Sequence, residues 1–255
     1  MHFIYFIMLH IGEFNTLKIL SDTKVGLFLG SEDTQEDDVL LPNKYVPKEF
    51  TIGDDLTVFV YLDHEERPVA TTLKPYIKLN EFAHLKVNYI NKFGAFLDWG
   101  LEKDILVPFR EQTLEMQVGY WYVVYVYLDV LSSRVTASAR LAKFLQQADD
   151  SLKENDAVAI LVTKRTNLGF DAVINNAYRG LLYENEIFEV VKVGEKRQAF
   201  IKKVREDHKI DLKLQARDFG ISDDAKEKVI EELQNSNGFL ALNDKDSTAE
   251  TLSSI

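Results

Sequence analysis

Cysteine is absent from the 255-residue chain. That absence removes disulfide frameworks, thiolate metal sites and a cysteine nucleophile together, and it accords with a reducing compartment. Glycine and proline are scarce, at 12 and 5 residues, so collagen-like and low-complexity architectures are excluded. The apolar run at the start, Phe3 to Leu9, has seven residues, against the ~20 that a membrane-spanning helix needs. No basic segment precedes it and no small-residue cleavage site follows it, so a signal peptide is not expected. The expectation for that run is a ragged start, with Met8 as the initiator, or an added edge strand. Positive charge is in deficit, with 30 Lys and Arg against 41 Asp and Glu and a net charge of −11. Such a balance argues against a uniform coat for nucleic acid or an anionic membrane. Apolar residues make up 46% of the chain, enough for two or three compact units with proper cores. A cytoplasmic protein with no membrane partner is expected.

The chain repeats itself, and a missed repeat would mislead any fold assignment. Phe93-Gly94-Ala95-Phe96-Leu97 is followed by Ile105-Leu106-Val107-Pro108, Val118-Gly119, the alternating run Val124 to Asp129, and Arg134-Val135-Thr136-Ala137. About 66 residues earlier the order recurs as Val25-Gly26-Leu27-Phe28-Leu29, Val39-Leu40-Leu41-Pro42, Ile52-Gly53, Val58 to Asp63 and Arg67-Pro68-Val69-Ala70. A fainter third copy lies 75 residues later, where Gly94 falls on Gly169, Gly119 on Gly194, Val126 on Ile201 and Arg134 on Lys209.

Each copy consists of short segments rich in Val, Ile, Phe and Tyr, alternating with period two and broken by Gly, Asn or Asp, which is the pattern of half-buried strands. In residues 124–128, Val124, Val126 and Leu128 are expected to line a core, with Tyr125 and Tyr127 outside. Five strands in about 65 residues suit a small closed barrel of the OB type, because closure removes sheet edges.

The ordered residues Gly-x-Phe, a Leu-Val/Leu-Pro strand and an alternating Val strand ending in Asp resemble the S1 RNA-binding domain. The tandem, with DVLLPNKYVP and DILVPFREQ in successive copies, resembles the conserved virulence factor B family over roughly residues 12–255. The resemblance implies a mainly β protein of three tandem S1-like OB-fold barrels followed by a winged helix, with RNA binding as its activity. The expected boundaries are 12–76, 80–146 and 152–218 for the barrels and 221–255 for a winged-helix segment. In that segment Ser222 is placed to cap a helix reaching Leu233, with Ala225, Val229, Ile230 and Leu233 on one stripe. Ser247-Thr248-Ala249-Glu250 reads as a capping box for a second helix. A winged helix needs a third helix and a wing, so a truncated winged helix is expected.

No catalytic or metal site is visible. The five histidines, His2, His10, His64, His84 and His208, show no metal-ligand spacing, and neither an HExxH nor a Walker-type loop occurs. Asp33, Glu36, Asp37 and Asp38 read as a solvated acidic loop between strands, and Ser132-Ser133 lies in a hairpin with no base nearby in sequence. No cofactor and no enzymatic activity are expected.

Single-stranded RNA asks a barrel for exposed aromatics to stack bases and cations to follow phosphates. Copy two offers Lys92, Phe93, Phe96, Arg110 and Arg134. Phe93 and Phe96 differ in strand parity, so both face out only if Gly94 forms a bulge. Copy one has Phe28 and Arg67 at equivalent places. Tyr61, Tyr125 and Tyr127 are expected to pack one barrel on the next rather than stack bases. Many S1 domains carry His after the Gly-Leu of the third strand; Val107 stands there in copy two, whereas Tyr183 of Gly180-Leu181-Leu182-Tyr183 supplies an aromatic in copy three.

Residues 151–220 hold 13 basic and 11 acidic side chains, the only positive stretch. Lys192, Lys196, Arg197, Lys202, Lys203, Arg205, Lys209 and Lys213 crowd into it, with Phe170, Tyr178 and Arg179 close by. The third copy is therefore expected to be the main contact of a non-catalytic, single-stranded-RNA-binding regulator. Two alternatives stay open: a protein-interaction scaffold using the acidic first barrel, and an accessory module of a nuclease complex.

Overall fold

The computed structural model describes residues 9–31, 34–129, 134–149 and 151–215, together with Glu231 and Gln234. The apolar start, Ser132-Ser133 and, apart from those two residues, the expected winged-helix segment lie outside the described residues. Three β units follow one another. The first contains β1 (Glu13–Thr23), β2 (Gly26–Ser31), β3 (Thr34–Pro42), β4 (Asp55–Leu62) and β5 (Pro68–Thr71), closed in the order β1-β2-β3-β5-β4. The second contains β6 (Phe82–Asn91), β7 (Gly94–Asp98), β8 (Ile105–Pro108), β9 (Trp121–Asp129) and β10 (Arg134–Ser138). The third, β11 (Ala157–Thr166), β12 (Gly169–Ile174), β13 (Tyr178–Tyr183), β14 (Lys196–Val204) and β15 (Ile210–Lys213), closes as β11-β12-β13-β15-β14.

The curvature of the units follows from one device used three times. The long first strand pairs with the fourth strand along its first half and with the second strand along its later half. Its register shifts at Ile19/Ser21, Val87/Tyr89 and Val162/Lys164. A bulge there bends the strand and strengthens its twist, so that one strand can serve two sides of a barrel. The second unit departs from full closure: its ladder runs β10-β9-β6-β7-β8, and β8 and β10 lie side by side without pairing. Ile105, Val107 and Ala137 still share one buried cluster across that seam, so packing completes what the ladder does not.

Alternation sets the cores. Leu17, Ile19, Leu27, Leu29, Leu41 and Val58 fill the first barrel, while Ile160, Val162, Ile174, Leu182, Ile201 and Leu212 fill the third. Val124 and Val126 point inward as expected. Leu128 does not: it is exposed, because β9 there pairs only with the short β10, opposite Val135, at the mouth of the barrel. The acidic stretch is also corrected, since β3 begins at Thr34 and the backbone of Glu36 to Asp38 lies inside a strand.

The units are joined by packed seams. Phe59 and Tyr61 of the first barrel meet Trp99 of the second edge-on, with ring centroids 5.9 and 6.5 Å apart. Burial pushes the Tyr61 hydroxyl up to about 12. Phe82 and Val123 of the second unit pack with Leu161 and Val173 of the third. Tyr125 stacks on Phe144 at 4.2 Å, and Tyr127 lies 5.2 Å from the same ring. Asn176 clamps this second seam: its Oδ1 accepts from the Phe82 N–H at 2.9 Å and its Nδ2 donates to the Asn80 carbonyl at 2.7 Å. Tyr61 and Tyr125 thus pack barrels together. Among the described residues, no helix is long and apolar enough to cross a membrane.

Candidate nucleic-acid interface

A cleft of about 420 Å³ opens on the second unit where the β6–β7 turn, β7, β8 and β10 converge. Phe93 and Phe96 both line it. They share the cleft without a bulge at Gly94, because Phe93 sits in the turn before β7 rather than in the strand. The Asn91 side chain fixes that turn by accepting the Phe93 N–H at 2.8 Å. Phe93 is 60% exposed and the Lys92 ammonium stands 5.1 Å from its ring centre, a cation–π distance. Phe96 is half-buried and lies flat on Tyr89, 4.5 Å away and 8° from parallel. That contact exists because the bulge in β6 registers Tyr89 against Phe96.

The outward residue beside Phe96 on β8 is Leu106. Val107 points into the core, so it does not occupy the position that many S1 domains give to His. The ladders explain the difference: Gly169 pairs with Tyr183 as Gly94 pairs with Pro108, which makes Pro108 the counterpart of Tyr183. The first barrel contributes to the cleft rim. Glu66 forms an ion pair with Arg134, and the half-buried Lys103 Nζ donates to the Asp63 carbonyl at 2.6 Å. Burial lowers the Lys103 ammonium from its ordinary value and raises the Asp104 carboxyl beside it. Arg110 lies away from this cleft, 3.6 Å from Asp129.

The equivalent face of the third unit holds a cavity of about 570 Å³. Offset by 75 residues, Phe93 becomes Leu168, Phe96 becomes Asp171, Arg134 becomes Lys209 and Thr136 becomes Asp211. The aromatic pair is gone and two buried carboxylates stand there instead. Asp171 holds Arg179 at 2.7 Å and Asp211 holds Arg205 at 2.8 Å. Arg205 also donates to the Tyr183 hydroxyl and lies over its ring at 5.9 Å. Phe170 is 8% exposed and belongs to the core; its neighbours on β12 keep it inward, so its ring is not a base platform. Tyr178 is half-buried against the same core and donates to Asp149 at 3.0 Å.

The third unit's positive charge is largely spoken for. Arg197 bonds Glu189 at 2.6 Å and reaches Glu195 at 3.4 Å, Lys202 pairs with Glu186, and Lys209 bonds Asp207 at 2.6 Å. Among the described residues, Lys192, Lys196 and Lys203 are exposed and form no ion pair. Linear sequence counts cations without their partners, which is why the stretch looked more available than its geometry makes it.

Sequence reasoning missed Tyr89, Leu106 and Lys103. Tyr89 was legible in principle as the residue after the bulge of a long strand. The rim residue Glu66 lies in a neighbouring unit and had no local signal. Among the described residues, no group of three His, Asp or Glu side chains is disposed to hold a metal. The buried Glu111 accepts from Lys143 at 2.9 Å and Ser138 at 2.7 Å and serves as a structural tie.

The S1 domain family model matches residues 11–73 and 81–138, the first two units. These two S1 domain matches lie within a mainly β, multi-barrel architecture. The resemblance to the conserved virulence factor B family holds as well. The chain is 23% identical to Conserved virulence factor B of Staphylococcus epidermidis strain RP62A over 58% of its length and 52% of that protein. It is 36% identical to a protein of Bacillus subtilis strain 168 called Uncharacterized protein YitL, over 38% of this chain and 32% of that one. The matches thus span about half, or a third, of these relatives. A solved multidomain protein with nucleic acid binding domains from Streptococcus pneumoniae TIGR4 aligns with 96% of this chain and 87% of its own, at 20% identity and a TM-score of 0.45.

Proposed function

We propose that this chain binds single-stranded RNA through its S1 barrels without turning it over, and acts as a post-transcriptional regulator. The observation that carries this reading is the Phe93/Phe96 cleft, with two aromatic rings on one S1 face and Lys92 beside the exposed one. Bases stack on such rings in a sequence-tolerant way, at ~1–3 kcal/mol each. The principal stacking site is thereby assigned to the second barrel. The third barrel's part is electrostatic, through Lys192, Lys196 and Lys203, rather than the aromatic site its composition suggested. Unit boundaries at 12–76, 80–146 and 152–218 belong to the same proposal.

A labelled uridine oligomer titrated into the chain over a salt series tests this. Affinity should fall with salt by roughly 0.7 log per log for each phosphate neutralised. The double substitution Phe93→Ala/Phe96→Ala should weaken binding at least about tenfold, more than Lys202→Ala/Lys203→Ala/Arg205→Ala does. Flat salt dependence, or RNA shortened in a magnesium-containing buffer, would overturn the reading.

A further inference from the structure

A second aromatic and basic surface lies away from the S1 cleft, on the outer face of β6 and β9 where the second and third units meet. Trp121, Val123 and Tyr125 form the outward row of β9, facing Lys86, His84 and Phe82 on β6. The third unit covers Phe82, Val123 and Tyr125 and stops short of Trp121, which is 55% exposed; Tyr120 before it is 62% exposed. Trp121 leans on His84 with ring centroids 5.3 Å apart, and Gly194 lies so close to His84 that a Cβ there would overlap the imidazole. The loop carrying Lys192 and Val193 therefore lies against the His84 ring. Lys86 stands directly opposite Trp121 in the ladder, and Lys196 opposite Leu161 of the seam.

The charge here differs from that on the rest of this acidic chain. Lys86, Lys192 and Lys196 are exposed and form no ion pair among the described residues. Of the acids around it, Glu81 pairs with Lys78 at 3.7 Å and Glu189 and Glu195 with Arg197, while Asp98, opposite Lys86 on β7, accepts the Gly100 N–H at 2.8 Å. Burial lowers His84 from its ordinary value, so the ring beneath Trp121 is neutral at pH 7 and the positive charge sits on the lysines around it.

We infer that this seam is a second stacking site for single-stranded RNA, with Trp121 as the base platform and Lys86, Lys192 and Lys196 as phosphate contacts. An exposed indole flanked by uncommitted cations matches the two demands of sequence-tolerant single-strand binding, a π-face and a charge track. Because the lysines come from two barrels, the site exists only when both are docked. The inference rests on the RNA-binding reading but not on the Phe93/Phe96 cleft.

Intrinsic fluorescence enters the test as the difference between the parent and Trp121→Phe, since the other of the chain's two tryptophans, Trp99, is 3% exposed and lines the Phe93/Phe96 cleft. The full chain is titrated with a uridine oligomer of about 20 nucleotides, reading tryptophan emission and, in parallel, the anisotropy of the labelled oligomer. RNA should quench the parent more strongly than Trp121→Phe. Trp121→Ala should weaken binding about tenfold, and Trp121→Phe should restore most of it. Lys86→Ala/Lys192→Ala should lower the salt slope by about 1.4; both side chains are exposed, so this variant keeps the test decisive if Trp121→Ala fails to fold. Anisotropy reporting binding while Trp121→Ala affinity and the lysine-variant slope both stay unchanged overturns the inference and leaves RNA binding intact. No anisotropy change at all overturns both. Trp121→Ala altering self-association while RNA affinity is kept also overturns it, by making the face a protein contact.

Discussion

Replacing Gly94 by alanine isolates the geometry that starts the second strand of every barrel. Gly94 has φ of +153°, and Gly26 and Gly169, its equivalents, have +144° and +143°. This is a region essentially reserved for glycine, in which another residue costs ~1–3 kcal/mol. A Cβ at Gly94 would also lie 2.9 Å from the Pro108 Cα and well inside contact distance of the Val107 carbonyl oxygen. That carbonyl belongs to the strand paired with β7, so relief means displacing backbone, and one ladder hydrogen bond is worth ~0.5–1.5 kcal/mol net. The expected cost of Gly94→Ala is therefore about 3 kcal/mol or more. Gly119 is the internal control: its φ is +85°, but a Cβ there meets nothing within 4 Å. Only the left-handed backbone is penalised, at ~1–2 kcal/mol. A difference of about 2 kcal/mol is roughly a 30-fold change in the opening equilibrium. Native-state hydrogen exchange by mass spectrometry, read on peptides of β7 and β8, measures it without assuming that three barrels unfold together. If Gly94→Ala exchanges no faster than Gly119→Ala, close approach at the strand start is not what holds this corner.

Three further outcomes follow from particular contacts. Trp99→Ala should cost about 3–5 kcal/mol and loosen the first seam, seen as earlier protease cleavage between Thr71 and Phe82 than in the parent chain. Burial by itself raises the Glu111 carboxyl, but its bonds to Lys143 and Ser138 outweigh this and hold it below the usual carboxylate range. Its folded-state value being depressed, the stabilisation is present above the unfolded value of ~4.3 and is lost as pH falls through the folded one. Urea midpoints of the parent and Glu111→Gln should therefore differ at pH 7 and converge in acid; a constant gap would refute the tie. Asn176→Ala should weaken the second seam by leaving the Phe82 N–H and Asn80 carbonyl without their partner. Enhanced exchange confined to that seam is the expected result, and unchanged protection at Phe82 would count against the clamp.

The repeat, the strand content and the inward rows of each barrel were legible in the order of residues alone. These depend on residue type at fixed spacing: Val124 and Val126 alternate with tyrosines, and glycines recur where the chain must turn. The sequence also marked Phe93, Phe96 and Arg134, because turn and strand residues keep their order on one S1 face. What it could not supply were partners distant along the chain. Arg134 is held by Glu66 and Lys103 by the Asp63 carbonyl of the preceding barrel, and Phe170 and Val107 proved inward only once the ladder register was fixed. The basic run in the third copy is the sharpest case. Charge is additive along a sequence, but availability depends on which carboxylates fold back against it, and Asp171, Asp211, Glu186 and Glu189 reach their cations only through the closed barrel. That Trp121 stands exposed beside Lys86 at the edge of a seam follows from packing between units, because that edge is drawn by where the third barrel's packing ends.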